Sequence, residues 1–332
     1  MLLITLALLG LDYLVMALAP TLAWLFAGRI LSGIMGASWA AANSCVADTV
    51  PAEERGRVFG MLGGLGAFGF VAGPAIGGVL GGLDPRAPFF AAAGLALAGA
   101  AAGWFLLQET LPADKRRRFD LGRANPLGTM IQMAGVPVVR GLLLVILVMQ
   151  LAAQSQLSIW AYYNSLKFGW SPLDIGLSIA FFGLSLALVQ GLLVGRAIAR
   201  FGERRTAIVG LSFGLPCYLL FAFAPASEAM IAGIAFGALT GFAFPAMQQI
   251  MTRRVDEDAQ GELQGASAST ISLTSIGGPV LMSQTFGHYA DARGLYFPGA
   301  PFLLAFAIIA LALVILWRTL TGPGDRPLVA QS

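Results

Sequence analysis

The sequence predicts an all-α membrane protein of about ten transmembrane helices, arranged as two related halves. Three observations carry this prediction. Apolar runs of membrane-spanning length recur along the chain, one stretch repeats another at a fixed offset, and basic residues gather on one side of the implied membrane.

Hydrophobic residues make up 57% of the chain and charged residues only 11%, against about a quarter charged in a soluble domain. A hydrocarbon core about 30 Å thick asks for about 20 apolar residues per helix. Such runs lie at 2–19, 22–46, 58–80, 88–108, 140–161, 173–194, 206–224, 229–250, 264–284 and 300–317. The 42 glycines fit this picture, because small residues let membrane helices approach closely. The first run has neither a basic leader nor a small-residue cleavage site. It is long enough to span, so it reads as a helix and not as a signal peptide.

Residues 11–78 and 216–283 match at a constant offset of 205. Tyr13-Leu14 pairs with Tyr218-Leu219, Ala19-Pro20 with Ala224-Pro225, and Gly73-Pro74 with Gly278-Pro279. Gly28, Gly36, Gly56 and Gly60 pair with Gly233, Gly241, Gly261 and Gly265. An offset unbroken by insertions points to a duplicated membrane unit. In the second half, spans 140–161 and 173–194 and a basic turn from Gly195 to Arg205 precede the copy. Subtracting the offset puts their counterparts before Met1, so the repeat predicts a twelve-span parent of which this chain carries ten. The expected layout is a four-helix N-terminal bundle at 1–108 lacking its first two helices, a cytoplasmic linker at 109–139, a six-helix C-terminal bundle at 140–318, and a tail at 319–332.

With Met1 inside, segments 48–57, 109–140, 195–205, 252–264 and 318–332 hold 16 of the 20 Lys and Arg residues. The positive-inside rule then sets both termini in the cytoplasm of a bacterial-type inner (plasma) membrane. Basic clusters such as Lys115 to Arg118 read as topology signals, and no nucleic-acid partner is expected. Cys45 and Cys217 lie within spans and read as small packing residues without a disulfide or metal role.

Ionisable groups inside spans carry the functional signal. Asp12 lies eight residues before Pro20, and Arg29 eight after Thr21. At about 1.5 Å per residue both sit about 12 Å below the outer edge, so antiparallel neighbours could pair there. A charge at such depth costs about 2.5–3.5 kcal/mol or more, so each should face the bundle interior. Asp12 reads as a proton-carrying carboxylate adjusted by Arg29, or as half of a structural pair locking two helices. The copy places Cys217 and Ile234 at these positions, which a pure packing role would not require.

Gln150, Gln154 and Ser158 recur one turn apart, with Gln156 and Trp160 off that line. Amides with an aromatic suit an amphipathic organic solute; interhelical glutamine bonding is the alternative. Gln248 and Gln249, after Pro245, repeat the signal more weakly, and Asn43 alone says little. Gly69, Gly73 and Gly77 form an i, i+4 stripe beside Pro74 and Gly78, suited to close packing and a helix bend. The lone His288 near an outer helix end is not counted as a proton relay. No nucleotide-binding, metalloprotease or paired-carboxylate motif is present, so the chain is not expected to be an enzyme and no cofactor is called for.

The motifs then point to a family. Gly69-x-x-x-Gly73-Pro74-x-x-Gly77-Gly78 resembles the fifth-helix antiporter signature of the major facilitator superfamily, and Arg29-Ile-Leu-Ser-Gly33 its fourth-helix motif. Gly195, Arg200, Gly202, Arg204 and Arg205 resemble the second copy of its cytoplasmic loop motif. Asp12-Tyr13, Ala87-Pro88-Phe89-Phe90, Gln150-Leu-x-x-Gln154, Pro245-Ala-Met-Gln248 and Gln260-Gly-x-Leu-Gln264-Gly265 are similar to the tetracycline-resistance-like drug:proton antiporters. The resemblance covers the third to twelfth family helices.

It implies the major facilitator fold and proton-coupled efflux of a drug-like or hydrophobic small molecule. Arg29 would support proton coupling, Gly73-Pro74 the bend between states, and Gln154 and Asp12 the central pathway. Leu186 and Leu215 stand where some members place a histidine and an aspartate. The expected partners are a small-molecule substrate, protons and the lipid bilayer, acting on a monomer. A non-transporting membrane remnant and an importer or facilitator of a metabolite are the rival readings.

Overall fold

The computed structural model describes residues 2–35, 42, 45–46, 50–106, 133, 135–256, 259–291 and 294–321. Within them every regular element is a helix. Asn43, linker residues 109–132 and the end of the tail lie outside the described residues.

A hydrocarbon core offers no water to backbone N–H and C=O groups, so a chain this apolar must satisfy them within each helix. The first four helices are α1 (Leu2–Leu18), α2 (Leu22–Met35), α3 (Ala52–Leu83) and α4 (Ala87–Leu106). Next come α5 (Pro137–Phe168) and α6 (Pro172–Leu188), the latter running through a π-helical segment, Val189–Leu193, into α7 (Val194–Phe201). They are followed by α8 (Glu203–Ser212), α9 (Gly214–Phe223), α10 (Ser227–Leu239), α11 (Ala243–Thr252), α12 (Gln260–Ala290) and α13 (Ala300–Thr321). A 3-10 turn at Thr240–Phe242 joins α10 to α11.

Seven spans of the described residues are long and apolar enough to cross a membrane. Helix α1, with 17 residues, is just short of that length. Helix α12 has 31 residues but is rich in Ser and Thr, and it misses on hydropathy. Its hydroxyls are answered locally: Thr270 donates to the Ala266 carbonyl at 2.7 Å and Thr274 to the Ile271 carbonyl at 2.6 Å. Such back-bonding removes most of the reason a hydroxyl would resist lipid.

The repeat is visible in the helix ends. Helices α1 and α9 stop at Leu18 and Phe223, and α2 and α10 start at Leu22 and Ser227, all at the sequence offset. Pro74 and Pro279 lie inside α3 and α12 at equivalent positions. The copies differ where proline intervenes. Pro216 has no N–H and its ring crowds the carbonyl four residues back, which is Ser212, where α8 ends. Leu11 occupies the matching place in α1, which runs on unbroken.

Contacts group the chain into two units, Met1–Phe119 with Ser171–Ala180, and Asp120–Trp170 with Phe181–Ser332. The first unit thus also takes the opening turns of α6. Within it α1 packs chiefly against α4 and then α2. Gly10 permits the close approach, since a Cβ there would lie 2.6 Å from Leu97 Cγ. Arg86 donates to the Ala19 carbonyl at 3.3 Å and so ties off the end of α1.

In the second unit α5 is the central helix, packed against α12 and α13. Its C-terminal half builds an aromatic cluster, in which Trp160 meets Phe221 at 5.1 Å and Tyr163 meets Phe302 at 5.0 Å between ring centroids, both edge-to-face. The Tyr163 hydroxyl donates to the Phe221 carbonyl at 2.7 Å, and Lys167 donates to that hydroxyl at 2.9 Å. A buried tyrosine so anchored positions both helices, because an unmade bond there would leave a polar group in hydrocarbon.

Glycines at helix contacts give the first test. A Cβ on Gly299 would collide with the Ala222 carbonyl, whereas one on Gly287 meets nothing within 4 Å. Gly299→Ala should therefore lower the melting temperature of the purified protein by several degrees, since backbone must shift. Gly287→Ala should leave it unchanged or raise it slightly, helped by up to about 1 kcal/mol of helix propensity.

Candidate functional site

In the first unit, Asp12 lies on the α1 face that meets α2. It is 3% exposed, and neither carboxyl oxygen has a hydrogen-bond partner among the described residues. Its neighbour across the interface is Gly28: a Cβ there would stand 2.9 Å from Asp12 Oδ1 and 3.1 Å from Met16 Cγ. Glycine is what makes room for the carboxyl.

Arg29 does not answer it. The side chain is exposed, and among the described residues no ion pair joins it to Asp12. The expected pair fails for a geometric reason. Depth along two antiparallel helices matches Asp12 to Arg29, but successive helical residues turn by about 100°. Gly28 takes the inward direction and Arg29 points elsewhere.

The glycine-proline motif of α3 also divides. Gly78 is buried against the start of α6, where a Cβ would fall 2.7 Å from the Pro172 carbonyl and 3.1 Å from Gly176 Cα. Reciprocally, a Cβ on Gly176 would strike the Pro74 carbonyl. Two glycines thus allow backbone to meet backbone beside a proline that frees a carbonyl. Gly69, Gly73 and Gly77 have nothing within 4 Å of an added Cβ, so the stripe read from sequence is not the contact.

In the second unit, the face of α5 carrying Met149, Gln150, Ala153, Gln156 and Leu157 lines a cavity of about 250 Å³. Phe182, Leu186, Leu211, Cys217, Tyr218 and Phe244 complete most of its wall. Gln154 turns the other way. It is buried, donates to Ser275 Oγ at 3.3 Å, and packs on Gly278, whose missing side chain leaves room for it. The glutamine ladder is therefore split between a cavity and an interhelical bond. Ser158 is half-buried, and Trp160 belongs to the aromatic cluster. Gln248 is half-buried, with its carbonyl oxygen buried and unpartnered.

Sequence reasoning passes over the pairing of Gln156 with Cys217, which face each other at 3.9 Å between Nε2 and Sγ. A signal is available, since Cys217 is the repeat counterpart of Asp12. Gln260 enters the sequence reading only as part of a motif. In the structure its amide donates to the Thr252 and Val255 carbonyls at 2.9 and 2.8 Å, closing the turn after α11.

The basic turn is well built. Gly202 has φ +79° and divides α7 from α8, a conformation that glycine alone adopts cheaply. Glu203 beside it pairs with Arg253 at 2.8 Å, tying the turn to the end of α11. Gly195, Arg200, Arg204 and Arg205 are exposed, with the Arg200 guanidinium 5.6 Å from the Phe201 ring centre. His288 is exposed and lies edge-on to Tyr289.

The uneven glycine contacts make a prediction. Gly78→Ala should destabilise the protein measurably in a thermal unfolding assay, while Gly73→Ala should unfold within a degree or two of the parent. Equal effects would contradict the assignment of Gly78 as the point of closest approach.

Comparison with known proteins fits this geometry. The Major Facilitator Superfamily pattern matches residues 1–163 and again residues 142–331, so the two halves are recognised separately. The chain is 39% identical over 280 residues to the class C tetracycline resistance protein of Escherichia coli, covering 84% of this chain and 70% of that one. It is 35% identical over 315 residues to the class E tetracycline resistance protein of Escherichia coli, covering 94% and 76%. Among solved structures, a bacterial homolog of the human lysosomal transporter Spinster superposes with a TM-score of 0.81 at 16% identity, over 98% of this chain and 83% of that one. The human organic anion transporter MFSD10 (TETRAN) does so with 0.67 at 20% identity, over 95% and 76%. These matches span nearly the whole described helical body, and the chain belongs to the major facilitator superfamily of multi-pass membrane transporters.

Proposed function

We propose that this chain exports a hydrophobic, drug-like small molecule in exchange for protons. One observation carries the reading. A family member 39% identical to a tetracycline resistance protein holds a buried carboxyl, Asp12, with both oxygens unpartnered. Among the described residues such a carboxyl has no structural partner to serve, and a carboxyl within a membrane span is by default a functional candidate. Uptake and release of a proton is the role its surroundings suit, and Gly28 keeps the space for it.

The relatives' names concern resistance, which favours export over metabolite import, and tetracycline is the first solute to try. Asp12 is the proton carrier in this reading. Arg29 acts from the neighbouring helix at the same depth without a direct bond. Gln150 and Gln248 contribute amides to the solute's surroundings, while Gln154 fixes α5 to α12. Residues 1–108 and 140–318 are the two bundles, supported by the repeat and the double family match. Both termini lie in the cytoplasm, supported by the basic residues of the segments assigned inside. Catalytic chemistry has no place in this scheme.

The test uses inverted membrane vesicles with an imposed pH gradient. Asp12→Asn should reduce uphill tetracycline accumulation to the level of vesicles without the protein, while solute–solute exchange continues. Unchanged uphill accumulation in Asp12→Asn would remove this carboxyl from the mechanism.

A further inference from the structure

The cavity of the second unit shares Gln150 with the transport reading, but its second amide, Gln156, has no part in that reading. None of its lining residues is charged. The Thr240 hydroxyl is already engaged, donating to the Gly237 carbonyl at 2.6 Å. The amides are not. Gln156 offers its Nε2 only to the Cys217 sulfur at 3.9 Å, a weak acceptor. Gln150 has no hydrogen-bond partner among the described residues. Two primary amides, each both donor and acceptor, therefore border the space with capacity unused.

The rest of the wall is apolar and partly aromatic, with Phe182 and Phe244 among the liners. Glycine keeps the space open, since a Cβ on Gly237 would lie 3.2 Å from Cys217 Sγ and 3.7 Å from Phe182. At about 250 Å³ the cavity falls below the range of about 300–1,000 Å³ typical for drug-sized ligands. Apolar walls with a few convergent polar groups nonetheless have the composition of a small-molecule site. An ion entering it would find no countercharge.

We propose that this cavity binds a small, planar, uncharged aromatic solute bearing an amide-like group, held between Gln150 and Gln156 with the Cys217 thiol in its wall. The proposal rests on the cavity alone. Its failure would leave the proton-coupled reading of Asp12 untouched, and the reverse also holds.

The experiment uses the full chain purified in detergent with Cys45→Ser, so that Cys217 is the single thiol. Its reaction with methyl methanethiosulfonate is followed by intact mass. Benzamide is the probe, with benzoate and benzamidine as charged molecules of the same shape. Benzamide at ten times its dissociation constant should slow labelling about tenfold, while the charged pair should leave the rate unchanged. Protection is read in each variant as the ratio of labelling rates without and with benzamide; Gln156→Leu should bring that ratio to one, and Gln150→Leu serves as the second variant should the first not fold. Equal protection by all three probes, no protection by benzamide, or protection that survives loss of the amides would each overturn the proposal. Should the buried Cys217 thiol not react, the readout is the melting temperature, which benzamide should raise and the charged pair leave unchanged, and no rise with benzamide would overturn the proposal.

Discussion

One constraint shapes this fold: polar groups inside hydrocarbon are costly unless they find partners in the protein, because water is absent. The backbone satisfies this by folding entirely into helices among the described residues. Threonines of α12 satisfy it by bonding to carbonyls three or four residues back. Tyr163 and Lys167 satisfy it by a chain of donation that ends on the Phe221 carbonyl. Against that background Asp12 stands out, since both its oxygens are buried and neither is bonded. Asn164, Gln248, Glu262 and Ser267 each leave one buried oxygen unpartnered as well, but among the described residues Asp12 alone leaves two.

Glycine supplies the complementary device. Lipid gives helices no hydrophobic reason to associate, so association relies on close packing. The close approaches are specific: Gly10 to Leu97, Gly78 to Gly176 and Gly278 to Gln154. At Gly28 and Gly237 the absent side chain leaves room for a polar group, Asp12 in the first case and Cys217 with Gln156 in the second. Asp12 and Cys217 are equivalent positions of the repeat, on α1 and α9. One half carries a carboxyl there and the other a thiol, so the duplicated architecture has been put to different chemistry in its two copies.

Much of the fold was legible in the sequence. The offset of 205 anticipates the ends of α1 and α9, the starts of α2 and α10, and the internal prolines of α3 and α12. The burial of Asp12 was legible, because a lone carboxylate within a span is costly enough to turn toward the protein interior. Facing was not legible. These helices are apolar on nearly every side, so no amphipathic stripe announces which direction is inward. Depth alone paired Asp12 with Arg29, whereas the rotation of α2 presents Gly28. Spacing alone joined Gln150 to Gln154, whereas the rotation of α5 sends Gln150 and Gln156 to the cavity and Gln154 to Ser275. Glycine spacing likewise marked Gly69, Gly73 and Gly77, while the contact belongs to Gly78. The azimuth was set by packing partners, on the neighbouring helix for Asp12 and far away in the chain for Gln154 and Gly78.

The central claim is that solute and proton move in opposite directions through this one chain. The most direct measurement imposes a tetracycline gradient, drug outside, on proteoliposomes containing the wild-type protein and a trapped pH-sensitive dye, with protein-free liposomes as the reference. The account predicts that the lumen turns alkaline as drug enters, because each inward solute is exchanged for outward protons. A lumen whose pH follows that of the protein-free liposomes while the protein carries drug inward would contradict it.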